Sequence, residues 1–287
     1  MQRAPAILLP FVLVLATIPA TAQISFTDDL QRTVTLETPA ARIISLAPSI
    51  TETLFALGAA DRVVAVTDYC NYPEAARTKR SIGGIVNPNA EAIISLSPDI
   101  IILSMEGNIR EDFSTLEALE IPLFVTNPRT LAGIRKSILD LGVISGTGEM
   151  AAKIVHEMKE REDSIRLEAL PQSRVLMVVS LQPLMVVGTG TFLAEVLRIA
   201  GADNVAAGTG MTYPVYSREA VVASNPDLIV LTSDIFLPRD ELLKLFPEWR
   251  TLNATRSGRV FSIGADIVSR PGPRIIQALE QLHEMLK

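Results

Sequence analysis

Residues 91–103, EAIISLSPDIIIL, and residues 219–231, EAVVASNPDLIVL, are two versions of one pattern separated by a constant offset. Each begins with Glu-Ala, passes through a Pro-Asp pair and ends in an uninterrupted apolar run. Such a pattern is typical of a short helix that stops at a turn and leads into a buried strand. Self-similarity over a long interval indicates duplicated architecture. The sequence therefore predicts one helix–strand unit that is used twice.

A second pair of similar segments supports the duplication. Residues 57–63, LGAADRV, resemble residues 199–205, IAGADNV. Elsewhere, apolar runs alternate with segments of helical period, as parallel strands joined by helical crossovers do. We therefore predict an α/β fold of two similar lobes with parallel-sheet cores. The predicted strands are Arg42–Leu46, Val63–Val66, Ile100–Leu103, Leu123–Val125, Val175–Val179, Leu228–Leu231 and Val260–Ser262, after an edge hairpin within Ile24–Leu36.

The segment between the two halves is predicted to be one long helix. Residues 148–170 are rich in Glu, Lys, Met and Ala, with Thr147 as a possible cap and Pro171 as a stop. A helix of this length would measure on the order of 30 Å and could hold two lobes apart as a rigid linker. An ordinary surface helix within one domain is equally compatible with the pattern. We predict an N-terminal lobe over 23–145, a linker helix over 146–170, a C-terminal lobe over 171–287 and a ligand cleft between the lobes.

The first 22 residues are predicted to be a cleaved signal peptide. Arg3 precedes an apolar run over 4–16, and Ala20-Thr21-Ala22 offers small residues for cleavage. The run is shorter than the ~20 apolar residues that a membrane-spanning helix needs. We therefore expect an exported, periplasmic protein whose mature chain begins near Gln23.

Composition argues against several classes of protein. The net charge is −6, without a basic cluster of the kind that nucleic-acid binding requires. The two histidines, His156 and His283, are expected on solvated helix surfaces, so we predict no resident metal site. Cys70 is the only cysteine and has no adjacent base in the sequence. An exported hydrolase that uses Cys70 or the region of Asp266 remains the rival interpretation.

Two turns could bear functional groups, and each also has a plain structural interpretation. Ser49 and Glu52 fit a capping box, in which each side chain satisfies a backbone donor of the other. Residues 188–192, GTGTF, follow an apolar run and could cradle an anion, but they lack a full dinucleotide-binding fingerprint. We predict structural roles for both turns.

Glu91 and Glu219 occupy the same place in the two copies of the repeat. Each falls in a predicted first helical turn, after Asn89 and Ser217 as caps. A carboxylate there stabilises the helix dipole by about 0.3–1 kcal/mol. Alternatively, one carboxylate on each lobe could pair with the basic residues of a symmetric partner. The residues alone favour neither interpretation.

Three loops at predicted strand ends supply aromatic and polar groups for a cleft. Residues 68–73, DYCNYP, follow one strand, residues 211–216, MTYPVY, precede the second repeat, and Asp266 to Arg270 follow the last strand. Ligands of open α/β sheets bind beyond the carboxyl ends of the strands. These loops predict a binding protein that grips a flat small molecule without catalysing a reaction.

The chain resembles the periplasmic substrate-binding proteins of ABC importers for cobalamin, haem and iron siderophores. The resemblance is carried by residues 42–49, RIISLAPS, with Thr51-Glu52 and Leu57-Gly58, and by the Asn87-Pro88-Asn89 turn ahead of Glu91. It implies two α/β lobes joined by a single rigid helix. It also implies that Glu91 and Glu219 dock to a homodimeric membrane permease, while the binding protein itself is monomeric.

Within that family the sequence is most similar to the cobalamin branch. The similarity rests on residues 68–73, on residues 216–219, YSRE, and on Asp266 with Arg270. It implies that the cleft binds a cobalt-containing corrinoid as transported ligand, with no resident cofactor. Ile85 and Met105 stand where tryptophans are expected to pack on the ring, and Tyr213 replaces a third. A related corrinoid, haem or a ferric siderophore therefore remains an alternative ligand. The residues implied to line the cleft are Tyr69, Ile85, Met105, Tyr213, Asp266 and Arg270.

Overall fold

The computed structural model describes residues 23–105 and 110–287. The predicted signal peptide, residues 1–22, lies outside them. Within the described residues, no helix combines the length and the apolar character needed to cross a membrane. The chain opens with an antiparallel hairpin of β1 (Ile24–Thr27) and β2 (Thr33–Leu36), as predicted, although it forms a separate two-stranded sheet rather than an edge of a larger one.

The N-terminal lobe is built on a five-stranded, fully parallel sheet with the order β5-β4-β3-β6-β7. Its strands are β3 (Ile43–Ser45), β4 (Val63–Val66), β5 (Arg80–Ser81), β6 (Ile100–Ser104) and β7 (Leu123–Thr126). The helices of this half are α1 (Pro48–Ala56), α2 (Ala90–Ser95), α3 (Arg110–Glu117) and α4 (Leu131–Ile144). Every residue of β6 is buried, because helices and loops cover both faces of the sheet.

The C-terminal lobe repeats this architecture on a second sheet with the order β10-β8-β11-β12. Its strands are β8 (Ser173–Leu181), β9 (Leu184–Val186), β10 (Ala202–Asn204), β11 (Leu228–Thr232) and β12 (Val260–Ile263), with β9 antiparallel to β8. A long helix, α5 (Gly148–Leu167), precedes this lobe. The helices that follow are α6 (Phe192–Ala200), α7 (Arg218–Ser224), α8 (Arg239–Leu245), α9 (Asn253–Arg256), α10 (Ala265–Ser269) and α11 (Ile275–Leu286). The two sheets are separate, as the two-lobe prediction requires.

Equivalent aspartates reproduce the same hydrogen bonds in both lobes. The carboxylate of Asp99 accepts from the backbone N–H of Arg42 at 2.8 Å, and its own N–H donates to the Arg42 carbonyl. Asp227 makes the same two bonds with Arg174, at 3.1 Å for the carboxylate. These bonds fix the register of β6 on β3 and of β11 on β8. The duplication inferred from sequence is therefore a duplication of backbone geometry.

One apolar core, which we call the central core, contains residues of both lobes. Alternate residues of β6 and β11 point into it, among them Ile102 and Val230. Their neighbours, such as Ile101 and Ile229, face two outer cores on the far sides of the sheets. Helices α4, α5, α6 and α11 pack together around the central core. The halves therefore share buried surface and are not independent units.

Helix α5 is shorter and less isolated than predicted. It ends at Leu167, because Glu168 is extended and its carboxylate meets His283 and Lys287, 3.1 Å from each. The hydroxyl of Thr147 turns to Ser145 rather than capping the helix. Buried Glu162 pairs with Arg135 of α4, so α5 is fastened along its neighbours rather than standing free as a spine.

The predicted exposure of the histidines is half correct. His156 is exposed and lies 3.3 Å from Glu160 on the same helix. His283 is buried, because its ring bonds the carbonyl of Ala200 at the end of α6 as well as Glu168. Within the residues that the structure describes, no group of His, Cys, Asp and Glu side chains could hold a metal ion.

Close packing of α4 on α5 gives a first prediction. A Cβ added at Gly142 would lie 2.4 Å from the Cβ of Ala151, so the helices touch where Gly142 has no side chain. Gly142→Val should lower the free energy of unfolding by about 1–3 kcal/mol, as overpacking does. Urea titration followed by circular dichroism measures the change.

Gly148→Ala serves as the control, because a Cβ at that position meets open space. It should change the free energy of unfolding by no more than about 0.5 kcal/mol. Equal effects of the two substitutions would contradict the close approach of α4 and α5.

Candidate functional site

Two adjoining cavities lie at the carboxyl ends of the parallel strands, between the lobes. The larger has a volume of about 440 Å³ and is lined mostly by the C-terminal lobe, with Arg129 contributed by the other. The smaller has a volume of about 260 Å³ and is lined by residues of both lobes. Ser269 borders both cavities. We call the pair the interlobe cleft; it lies where open α/β sheets bind their ligands.

The structure brings the sequence-predicted cleft residues together. Tyr69, Ile85, Asp266 and Arg270 line the smaller cavity, and Tyr213 lines the larger one. Met105 follows Ser104, which borders the smaller cavity at the end of β6. Residues that are far apart in the sequence and come from both lobes thus surround one space.

Tyr69 and Met105 offer apolar surface to a ligand. Tyr69 is 59% exposed and lines the smaller cavity, and Met105, which follows the cavity-lining Ser104, is 47% exposed. The loop that holds Tyr69 is fixed by backbone bonds from Asp68 to Gly83 and from Cys70 to Thr67. An exposed aromatic ring on a firmly held loop, together with an exposed thioether group after β6, is what a flat, largely apolar ligand would contact.

A buried carboxylate joins the lobes directly behind the cleft. Glu52, on α1, accepts from Arg270 at 2.7 Å and from Arg274 at 2.5 and 2.7 Å. The Glu52 side chain is only 2% exposed. Arg270 also donates to Asn71 at 2.8 Å and to Asp266 at 2.7 Å. We call these residues the interlobe ion cluster; it fixes the Arg270 guanidinium at the wall of the smaller cavity.

An aromatic contact extends the cluster toward the tyrosine loop. The guanidinium of Arg274 lies 3.9 Å from the centroid of the Tyr72 ring, within cation–π distance. Tyr72 and Asn71 both belong to the loop that carries Tyr69. The cluster therefore holds this loop of the N-terminal lobe against the C-terminal lobe.

The capping-box interpretation of Ser49 and Glu52 is wrong. Helix α1 begins at Pro48 with Ala47 as its N-cap, so Ser49 lies inside the first turn. Proline suits the first helical position, because it lacks the N–H that would go unsatisfied there. Glu52 is thus free of a capping role, and its carboxylate serves the two arginines.

Among the residues that the structure describes, the charges that line the cleft balance. Arg129 and Asp234 border the larger cavity, and Asp266 and Arg270 border the smaller one. Behind the wall, Glu52 and Arg274 add one charge of each sign. The described residues of the cleft therefore present donors and acceptors with equal numbers of positive and negative charges.

The glycine-rich turn at 188–192 has a structural role, as predicted. The N–H groups of Gly188 and Thr189 donate to the carbonyls of Thr212 and Met211, both at 2.8 Å, and Thr191 caps α6. A Cβ on Gly188 would lie 2.0 Å from the Met211 carbonyl oxygen, so only glycine fits. Because these two N–H groups already donate to carbonyl oxygens, they are not available to bind an anion.

Cys70 is also engaged within the core. Its buried Sγ lies 3.1 Å from the Thr51 hydroxyl and 3.2 Å from the Thr67 hydroxyl. Hydroxyl groups of threonine do not act as the base that a thiol nucleophile requires. The structure thus gives no support to the rival in which Cys70 is catalytic.

Glu91 and Glu219 lie away from the cleft-lining set, each exposed in the first turn of its helix. Asn89 and Ser217 cap α2 and α7, as predicted, by accepting from Ala92 and Ala220. The pKa of Glu219 is lowered, because its own backbone N–H and the Ser217 hydroxyl bond its carboxylate. Glu219 is therefore anionic at neutral pH.

Some cleft residues were missed by the sequence analysis. Thr232 ends β11 as Ser104 ends β6, so the repeat could have predicted Thr232, and Asp234 lies two residues beyond it. Arg274 lies between α10 and α11, where no helical spacing signals that it shares Glu52 with Arg270. Phe192 and Arg129 left no signal, because only tertiary packing brings them to the cleft.

Comparison with known proteins identifies the class. Residues 43–267 match the model of the periplasmic binding protein family, and the chain belongs to that family. The chain is therefore a binding protein, and the sequence-based prediction that it is not an enzyme is confirmed.

Three similar proteins show which ligands related proteins bind. A vitamin B12-binding protein of Vibrio cholerae serotype O1 is 30% identical over 252 residues, which cover 87% of this chain and 90% of the relative. The crystal structure of the periplasmic vitamin B12-binding protein of Vibrio cholerae superposes with a TM-score of 0.77 at 29% identity, covering 87% of this chain and 97% of that one. The apo form of a periplasmic haem-binding protein from Roseiflexus sp. RS-1 gives a TM-score of 0.73 at 28% identity, covering 86% and 98%. These likenesses confirm the predicted two-lobed fold.

The interlobe ion cluster gives a second prediction. Glu52→Ala would leave Arg270 and Arg274, whose side chains are 10% and 17% exposed, without the carboxylate that they share. Removing one partner of a buried ion pair costs about 3–5 kcal/mol, so the free energy of unfolding should fall by that amount. Chemical denaturation of the apo protein measures it.

The control is Glu157→Ala, which removes an exposed carboxylate 4.0 Å from Lys153. Exposed pairs contribute little, so this variant should lose less than about 1 kcal/mol. A loss for Glu52→Ala no larger than that of the control would show that the cluster does not hold the lobes together.

Proposed function

We propose that this chain is the periplasmic substrate-binding protein of an ABC importer and that it binds cobalamin or a related corrinoid. The observation that carries the choice of ligand is the balanced charge of the described residues that line the interlobe cleft. A corrinoid is a broad ring fringed with neutral amides, and cyanocobalamin has no net charge. Haem carries two propionates, which bind best where cationic side chains are in excess.

Each cleft residue then has a role in binding the corrinoid. Tyr69, Ile85, Met105 and Tyr213 would pack against the ring and its edge by apolar contact. Arg270 would donate to amide oxygens, and Asp266 would accept from amide N–H groups. Because the interlobe ion cluster already fixes Arg270, ordering this side chain on binding costs little entropy.

The vitamin B12-binding relatives support this ligand, and the haem-binding relative supports the alternative. A tyrosine of the cleft, Tyr69 or Tyr213, would then be the group available to ligate iron. Both ligands absorb visible light, with different spectra. A single titration can therefore decide between them.

The test of the ligand is titration of residues 23–287 with cyanocobalamin, with haem and with a ferric siderophore, each followed by calorimetry and visible spectroscopy. Cyanocobalamin should bind, and Tyr69→Ala should weaken its binding about tenfold through lost aromatic contact. Tight binding of haem or of the siderophore, without binding of cyanocobalamin, would overturn the proposed ligand.

Tyr216→Phe is the matched control for the tyrosine substitution, because the Tyr216 hydroxyl bonds the Val205 carbonyl and its ring packs against an outer core. It should leave the affinity for cyanocobalamin unchanged. An equal loss in both variants would point to general destabilisation rather than to contact with the ligand.

The proposal includes delivery to a homodimeric membrane permease. Glu91 and Glu219 are exposed on equivalent helices, one on each lobe, where basic residues of two identical permease subunits could pair with them. We further propose that the chain is exported with cleavage near Ala22, that its lobes are residues 23–145 and 171–287, and that it is monomeric when not docked.

Charge reversal tests the docking role. Glu91→Arg and Glu219→Arg should leave the affinity for cyanocobalamin unchanged and should abolish its uptake by cells that lack the wild-type protein. Glu149→Arg, in the exposed first turn of α5, is the control, because it loses the same helix-dipole stabilisation of about 0.3–1 kcal/mol. Normal uptake in the Glu91 and Glu219 variants, or loss of uptake in the control, would contradict the docking role.

A further inference from the structure

The two glutamate-bearing helices also share an exposed apolar residue. Ile94, three residues after Glu91, is 55% exposed, and Val222, three residues after Glu219, is 37% exposed. Residues three apart lie on the same face of a helix. Each lobe therefore presents a carboxylate and an aliphatic side chain side by side.

The buried side of each helix does not explain these residues. Ile93 of α2 and Val221 of α7 are fully buried and pack into the outer cores. That contact already satisfies the apolar face through which each helix packs on its lobe. Ile94 and Val222 each follow the buried residue by one position. Their side chains therefore lie about 100° further around the helix, away from the face that packs on the lobe.

Single exposed aliphatic residues are common on protein surfaces and need no explanation. These two recur at one position of a duplicated unit, beside the exposed glutamate that both copies carry. The ends of the unit are held in the same way in both lobes. Asn89 and Ser217 cap the starts, and Ser97 and Asn225 close the ends with left-handed backbone, at φ of 44° and 38°.

We propose that Ile94 and Val222 are apolar anchors of the permease-docking surface, each packing against a hydrophobic residue of one permease subunit while the neighbouring glutamate makes the ion pair. A homodimeric partner offers every contact twice, which fits a contact pair that this chain also carries twice. The inference rests on the proposed docking role of Glu91 and Glu219. The two anchors add an apolar contribution to the affinity for the permease, and salt does not screen that contribution.

Site-specific photo-crosslinking tests the occupant of this surface. p-Benzoylphenylalanine is placed at Ile94, at Val222 or at Val143, an exposed residue of α4 that serves as the control. Irradiation of the native host cells should give an adduct with a transmembrane ABC permease subunit at 94 and at 222, but not at 143. Mass spectrometry of the adduct identifies the subunit.

Three outcomes would overturn the inference. The first is an adduct of twice the mass of this chain, which would indicate that a second copy occupies the surface. The second is a permease adduct at only one of the two positions, and the third is no permease adduct at either position. The ligand titration is independent of this result. If permease adducts form but cyanocobalamin does not bind, the proposed ligand is wrong and the proposed docking surface is supported.

Substitution measures what the anchors contribute. Ile94→Ser and Val222→Ser should each weaken binding to the permease identified by crosslinking, reconstituted in lipid nanodiscs, by about five- to tenfold. The weakening should be the same at low and high salt, whereas that caused by Glu91→Gln should shrink at high salt. Val143→Ser should have no effect, and affinities unchanged by Ile94→Ser and Val222→Ser would refute the anchor role.

Discussion

The contact of Glu52 with Arg270 and Arg274 is the constraint on which the cleft depends. It joins α1 of one lobe to the segment after β12 of the other, and its carboxylate is almost fully buried. A buried carboxylate between two guanidinium groups is stable only while the three groups stay in contact. If they separated, each would be a buried charge with neither an ionic partner nor water around it. Asn71, Asp266 and Tyr72 are held by the same arginines, so the cleft wall is already shaped before a ligand arrives.

The fold was largely predictable because its information is local and repeated. The apolar runs that became β6 and β11 are buried on both faces, and the Pro-Asp turns before them set the register through Asp99 and Asp227. What sequence could not predict was tertiary. The end of α5 depends on His283, which is about 115 residues away in the chain, and no local pattern signals that contact.

The candidate site was predictable to a lesser degree. Tyr69, Asp266 and Arg270 stand at strand ends, where topology alone brings side chains together. Glu52 was misassigned because its spacing from Ser49 fits the capping-box pattern. That pattern considers neighbouring residues only, whereas the partner of Glu52 is an arginine 218 residues further along the chain. Charge balance in the cleft, which guides the choice of ligand, follows from such distant pairings and becomes visible only in three dimensions.

The shared central core also determines how the molecule unfolds. Its side chains come from both halves and from α5 between them, so neither half can bury its apolar surface alone. The two halves are similar, yet each completes the apolar core of the other, and a fragment ending before β8 would expose a broad apolar face. Melting should accordingly be a single cooperative event, in which neither half unfolds while the other stays intact.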